Sequence, residues 1–239
     1  ANGYWLASKA LAAIAVTWSA SEHDNVSSVQ LFEQFQNDMV SSKASGDTHG
    51  DVNLGDAEQS FESAERIIER KYKVPYLAHA CMEPMNAVAH VRNGECDLWT
   101  GSQNPLGFKY DVATALELDP ENVRVTNYFM GGGFGRRATP DAAIQAAKIS
   151  LAAGVPVKLI WSREEDVQHD HYRPAVASNF RGVLGEDGLP IAWENQYVDK
   201  HEPAEAPHIP YAIANQNIFY SDSPTHIPFG PWRSVDHSQ

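Results

Sequence analysis

The sequence predicts an α+β protein, a mixed β-sheet with helices packed on it, and three observations carry that prediction. Helix-like and strand-like runs alternate through the middle of the chain, consecutive strand-like runs dominate elsewhere, and no internal repeat is visible. With 239 residues, 43% of them hydrophobic and 21% charged, there is enough apolar material for one large domain or two small ones. The formal charge of -13, with lysines and arginines scattered rather than striped, argues against a polyanionic partner, so no nucleic acid is expected as a ligand. No apolar run approaches the roughly 20 residues of a membrane-spanning helix. Cys81 and Cys96 flank a hairpin and read as two unpaired core thiols.

Taken in order, Tyr4–Ile14 has Trp5, Leu6, Ala10, Ala13 and Ile14 at helical spacing, and Ile14–Trp18 alternates as a short strand does. Val26–Met39 is a second helix. Ser41–Gly55 is rich in Ser, Gly, Asp and Asn and reads as a linker or long surface loop. The main boundary is placed there, with residues 1–55 as the end of one domain and its linker and 56–239 as the next. Asp56–Phe61 makes a helical turn and Arg66–Val74 a strand. Asn86–Arg92 and Glu95–Thr100 flank Asn93-Gly94, the strongest short-range hairpin signal, because a type I′ turn needs positive φ at both central residues. Leu106–Leu118 follows Asn104-Pro105 as a helix and stops before Asp119-Pro120. Val123–Phe129 is a strand. Thr139–Ala153 is an alanine-rich helix, with Thr139 as N-cap, Pro140 and Asp141 in the first turn and Gly154 at its end. Val155–Trp161, Ala175–Leu184 and Pro190–Asp199 are strands, the last two joined through Glu186-Asp187-Gly188. The last forty residues carry six prolines and read as irregular. The first helix lacks a capping prelude and the chain stops in a turn-rich apolar stretch, so residues 1–239 are expected to be an internal piece of a longer protein.

The most informative stretch is Met130–Arg137, which sets four glycines between a strand and a helix start. Backbone cleared of side chains beside a helix N-terminus favours an anion, and Arg136 and Arg137 can add charge. Three readings compete. A Rossmann fingerprint would use Glu164 or Glu165 as the ribose acid but lacks its third glycine, where Arg136 stands; a P-loop lacks its Gly-Lys-Ser/Thr; and a tight turn needs no ligand at all. His169-Asp170-His171 invites a metal, but further ligands cannot be assigned and a solvated loop is favoured. Arg173, on a turn before Pro174, can bind a carboxylate or carbonyl oxygen, a surface ion pair being its default. Gln103 can aim its amide into a cleft while Ser102 or Asn104 caps the following helix. Glu83, alone among Met82, Pro84 and Met85, reads as a hydrogen-bonded structural carboxylate.

Five blocks in order carry a family resemblance: Ala78–Pro84, Thr100–Asn104, Met130–Arg137, Arg163–Asp166 through His169–Pro174, and Trp232–Ser234. Together they resemble the molybdenum-binding large subunit of the xanthine dehydrogenase and aldehyde oxidase family, in particular its isoquinoline 1-oxidoreductase and membrane-associated aldehyde dehydrogenase branch. Tyr4–Trp18 resembles the end of that family's preceding small domain. The resemblance implies that residues 56–239 are the N-terminal portion of a molybdopterin-binding domain. It further implies molybdenum with molybdopterin, as the cytosine dinucleotide, in the full-length parent. Gln103 then lies beside a molybdenum oxo ligand, Gly132, Gly133 and Gly135 bring backbone to the pterin dinucleotide, Phe134 stands at the metal site, Arg233 lies close to the pterin, and Arg173 meets the substrate. The implied partners are the remainder of the large subunit, a small iron-sulfur (2Fe-2S) subunit and a cytochrome c subunit. The implied activity is oxidation of an aldehyde or aromatic N-heterocycle with water-derived oxygen. Where purine-oxidising members carry an acid, this chain has Ala138, which argues against a purine. The family's general-base glutamate lies towards the C-terminus of the full subunit, so residues 1–239 alone are expected to hold no cofactor and to be inactive. The alternatives carried alongside are a Rossmann-type nucleotide-binding domain and a ligand-free structural module, and the compartment is left open between bacterial cytoplasm and a periplasmic or membrane-associated location.

Overall fold

The computed structural model describes residues 1–198 and 209–234. In chain order the elements are α1 (Tyr4–Ala12), α2 (Ser28–Ser45), β1 (His49–Leu54), α3 (Ala57–Glu62), β2 (Ile68–Val74), β3 (Asn86–Arg92), β4 (Glu95–Thr100), α4 (Pro105–Leu116), β5 (Val123–Asn127), α5 (Asp141–Ala153), β6 (Val157–Ile160), α6 (Arg163–Gln168), β7 (Val176–Leu184), β8 (Pro190–Val198) and β9 (Asn215–Tyr220). They fall into two compact units. Unit 1 takes Ala1–Asn25 and His79–Asp170, and unit 2 takes Val26–Ala78 together with the chain from His171 onward.

Unit 1 is a four-stranded sheet in the order β5-β4-β3-β6. The β3–β4 hairpin turns on Asn93 at φ 52 and Gly94 at φ 78, the positive pair a type I′ turn requires. β5 returns parallel to β4 after α4, whereas β6 runs antiparallel to β3. Period-two alternation sends Ala87, Ala89, Val91, Cys96 and Leu98 to one face, under Phe108, Val112 and Leu116 of α4 and Ala143, Ala146 and Ala147 of α5. Alanines on both α5 and β3 let the helix backbone lie close to the sheet. There the fully buried Ser150 hydroxyl accepts from the Val91 amide at 3.0 Å and donates to the Val155 carbonyl at 2.8 Å. Burial of each large side chain here contributes about 1.5–3 kcal/mol, which makes this cluster the main stabiliser of the sheet. α4 is capped by Asn104 with Pro105 at its first position, and α5 ends at Gly154 in the left-handed conformation. α1 buries no residue, and Ile14–Trp18, expected as a strand, is exposed and pairs with no strand.

Unit 2 is a five-stranded mixed sheet, β1-β9-β8-β7-β2, in which only β8 and β9 are parallel. α2 begins at a Ser27/Gln30 capping box and places Leu31, Phe35 and Met39, four residues apart, on one buried stripe. Phe35 and Met39 pack on Ala175, Ala177 and Val198, and α3 packs Ala57 and Phe61 on Val183 and Ala192. Two expectations fail in this unit. Ser41–Gly55 is not a linker: α2 continues to Ser45, where Ser42 donates to the Met39 carbonyl and bonds the Ser221 hydroxyl at 2.8 Å, and β1 then pairs with β9. The divide between units lies instead at residues 25/26, 78/79 and 170/171. The proline-rich end is not irregular throughout, since Asn215–Tyr220 forms β9 between β1 and β8. Asp199, expected to end a strand, lies outside the described residues.

Candidate cofactor-binding loop

The glycine loop leaves β5, the edge strand of unit 1, and returns through a 3₁₀ turn, Arg136–Ala138, into α5. Thr139 does not cap that helix; Pro140 occupies the N-cap position without a side-chain hydrogen bond. A second segment, Gly101–Asn104, runs alongside. Asn127 ties it to the end of β5, its Oδ1 accepting from the Ser102 amide at 2.7 Å and its Nδ2 donating to the Ser102 carbonyl at 3.0 Å. The Gln103 amide donates to the Arg137 carbonyl at 2.9 Å, and the Gln103 Oε1 accepts from the Gly135 amide at 3.0 Å. Fixing that oxygen fixes the other end of the group. Among the described residues Gln103 Nε2 has no acceptor, and neither do the amides of Gly132, Gly133 and Phe134.

Why glycine is needed follows from close approaches. A Cβ on Gly133 would lie 2.5 Å from Gln103 Oε1, and one on Gly131 would lie 2.6 Å from the Glu83 Cβ. Phe134 is not a glycine but stands at φ 55, a left-handed conformation that costs roughly 1–2 kcal/mol, and the residue is 43% exposed. An exposed aromatic residue held in that conformation makes Phe134 a candidate for a role beyond packing.

The two arginines do not face outward to supply charge, as the sequence suggested; both are buried. Arg136 binds Asp141 with Nη2 at 2.6 Å and Nη1 at 3.2 Å, and its Nε lies 2.9 Å from Asp170 as an ion-pair contact not aligned for a hydrogen bond. Arg137 donates from Nε to the Gly132 carbonyl at 2.7 Å and from Nη2 to the Glu83 carbonyl and carboxylate. Glu83 is therefore structural, as its sequence context implied. Burial opposes its ionisation, but the Gly131 amide, Asn86 and Arg137 together hold its carboxyl below the usual range. Asp170 was not legible as a network centre. It accepts from the His79 amide at 2.5 Å and the His79 Nδ1 at 3.0 Å; burial pushes its carboxyl up, and the His79 hydrogen bonds with the Arg136 charge outweigh this and lower it. Beneath the loop the buried Cys81 thiol donates to the Gly133 carbonyl at 3.4 Å, and burial raises its pKa. Both cysteines are free.

The structure thus brings Gln103, Gly132, Gly133, Phe134 and Gly135 together in unit 1. Arg173 and Arg233 belong to unit 2. Arg173 pairs with Leu77 in an antiparallel bridge, donates to the Pro75 carbonyl at 2.8 Å and sits 6.0 Å from the centre of the Trp232 ring, while Arg233 is exposed. His169 is exposed beside Glu165, and among the described residues no three His, Cys, Asp or Glu groups are placed to hold a metal ion. The Rossmann alternative needed the strands before and after the loop to lie side by side and parallel. β5 and β6 occupy opposite edges of the sheet, which removes that reading and with it the ribose role of Glu164 or Glu165.

A strained loop offering several uncommitted N–H donors can receive an oxygen-rich, anionic group, and comparison with known proteins gives the chain a family. Residues 32–222 match the family model described as the molybdopterin cofactor-binding domain. The chain belongs to this molybdopterin cofactor-binding family. It is 32% identical over 174 residues to a membrane-bound aldehyde dehydrogenase (pyrroloquinoline-quinone) of Gluconacetobacter polyoxogenes, covering 72% of this chain and 22% of that protein. It is 31% identical over 186 residues to the isoquinoline 1-oxidoreductase subunit beta of Brevundimonas diminuta, covering 73% and 23%. Among solved structures, the aldehyde oxidoreductase from Desulfovibrio gigas shares the fold with a TM-score of 0.66 at 24% identity, over 79% of this chain and 22% of that one. The chain thus spans under a quarter of the length of these relatives. Its fold, a mixed sheet with packed helices, is the one the sequence predicted.

Proposed function

We propose that this chain supplies one wall of the cofactor site in the large subunit of a molybdenum hydroxylase that oxidises an aldehyde or an aromatic N-heterocycle. The observation that supports it best is Gln103, whose oxygen is held by Gly135 while its Nε2 is left uncommitted among the described residues. When bound, a molybdenum cofactor supplies the two-electron oxidation by which oxygen from water enters the substrate. The residues here bind and orient. Gln103 Nε2 donates to an oxygen of the group, Gly132, Gly133 and Gly135 let it approach backbone amides, the Phe134 ring limits its access to water, and Arg233 adds a charge at the pterin. Arg173, rigid before Pro174, orients the substrate oxygen or ring. Ala138 offers no carboxylate to a purine, which is why aldehydes and N-heterocycles are preferred. Cytosine dinucleotide is the proposed cofactor form. The rest of the large subunit, an iron-sulfur (2Fe-2S) subunit and a cytochrome c subunit are the proposed partners, and Tyr4–Trp18 is read as the end of a preceding small domain.

The test is made in the full-length parent. Gln103→Ala and Phe134→Ala should retain the fold by circular dichroism while molybdenum content or turnover falls about 10–100-fold. Wild-type turnover in both variants would remove these residues from the site. The isolated chain of residues 1–239 is expected to oxidise neither substrate class, and sustained turnover by it would overturn the assignment of the remaining machinery to other parts of the subunit.

A further inference from the structure

Arg137 does not behave as a surface arginine or as an anion ligand. Its side chain is 2% exposed, and every acceptor it uses belongs to the loop or to the segment that borders it. Nε donates to the Gly132 carbonyl at 2.7 Å, and Nη2 reaches the Glu83 carbonyl at 2.7 Å and Glu83 Oε2 at 3.0 Å. The same Oε2 accepts from the Gly131 amide at 2.7 Å, while the Glu83 amide donates to the Gly131 carbonyl at 3.1 Å. The Arg137 carbonyl meanwhile accepts from the Gln103 amide at 2.9 Å and the Ser102 hydroxyl at 3.3 Å. Both ends of the loop and the neighbouring Gln103 segment therefore converge on one residue. Phe134 stands exposed between Gly133 and Gly135, both of them buried.

We propose that Arg137, braced by Glu83, is a positioning residue that sets the conformation of the glycine loop and so presents Phe134 and Gln103 to the cofactor. The inference rests on the proposed molybdenum site for its function, but its geometry is independent of that reading. A planar guanidinium reaches acceptors in two directions at once, from Nε and from Nη2, whereas a lysine offers one nitrogen on a flexible stem. Charge-assisted hydrogen bonds to a buried guanidinium are also the strong ones, so losing them should release the loop ahead of the sheet.

The experiment compares Arg137→Ala, Arg137→Lys and Glu83→Gln in the full-length parent. Two quantities are read: amide hydrogen exchange at Gly131 and Gly135, the loop amides that donate hydrogen bonds, against β3 and β4, and molybdenum bound per protein. In both Arg137 variants loop exchange should accelerate about tenfold or more with β3 and β4 unchanged, and bound molybdenum should fall. Glu83→Gln keeps an acceptor for the Gly131 amide but removes the ion pair, and should move both readouts the same way by less. Wild-type loop exchange in Arg137→Lys, or acceleration spread equally over β3 and β4, would overturn the proposal. Should Arg137→Ala fail to fold, the other two variants decide. If the wild-type parent carries no molybdenum, the functional reading falls while the exchange measurement still tests the clamp.

Discussion

The sheets of the two units differ in what covers the face turned away from their helices. In unit 1 that face carries an ionic ladder: Arg124 binds Asp97 at 2.7 Å and Glu95 at 3.0 Å, and Arg92 binds Asp97 at 3.0 Å. In unit 2 the corresponding strands carry Tyr72, Phe180 and Trp193, whose rings stack edge-on or tilted at 5.6 and 5.4 Å and line a groove of about 300 Å3 with Ile68, Leu184 and Pro190. Charge is distributed the other way inside. Unit 1 buries Arg136, Arg137 and Asp170 almost completely around its glycine loop. The difference teaches that a charged pair has opposite significance on an exposed sheet face and in a buried network around a loop. Water screens the ladder, whereas nothing but the partner compensates the buried network.

Breaking the buried network should have the largest effect. Asp170→Ala leaves Arg136 and His79 buried with fewer acceptors and should destabilise unit 1 by about 3–5 kcal/mol, measured by urea unfolding. A loss no larger than that of a surface pair, about 1 kcal/mol, would erase the contrast between the buried network and the exposed ladder. Acid should act through the same group. The folded Asp170 carboxyl lies below its ordinary value of 3.8, so as pH falls the unfolded chain takes up its proton first. The stabilisation present above 3.8 is therefore lost below it, and the stability gap between wild type and Asp170→Asn should narrow over that range. Asp166, whose carboxyl burial raises, titrates in the opposite sense and offsets part of this loss. Phe180→Ala, which removes two ring contacts in unit 2, should cost about 1–2 kcal/mol in the same assay. Arg124→Ala should leave the midpoint unchanged within error. A shift as large as that of Phe180→Ala would show that the ladder is more than a solvated finish.

Local chemistry was legible where one short segment decides it. Asn93-Gly94, Asn104-Pro105 and Gly154 each dictate a turn or cap from their own φ preferences, and the structure has all three. Failures came where a distant partner decides. Ser41–Gly55 looks like a loop because its residues are polar, yet Ser42 is held by Ser221 and β1 by β9, both far along the chain. Arg136 and Arg137 looked like anion ligands because nothing in their neighbourhood announces Glu83 or Asp170. For the candidate site, glycine spacing pointed to the loop and the helix entry at Asn104-Pro105 to Gln103, while the resemblance added what Gln103 would face. The Gln103–Gly135 hydrogen bond became visible only once β4 and β5 lay side by side.

The His79–Asp170 pair has a temporal consequence as well. These residues are the first and last of the stretch that makes up the body of unit 1, and their hydrogen bonds close it upon itself. α2, β1 and β2 are synthesised earlier, but their sheet neighbours β7 and β9 are made only afterwards. At about 5–20 residues per second, a ribosome completes the inserted body seconds before β9 emerges. The segment that forms the glycine loop thus emerges before the unit that carries Arg173 can complete its sheet.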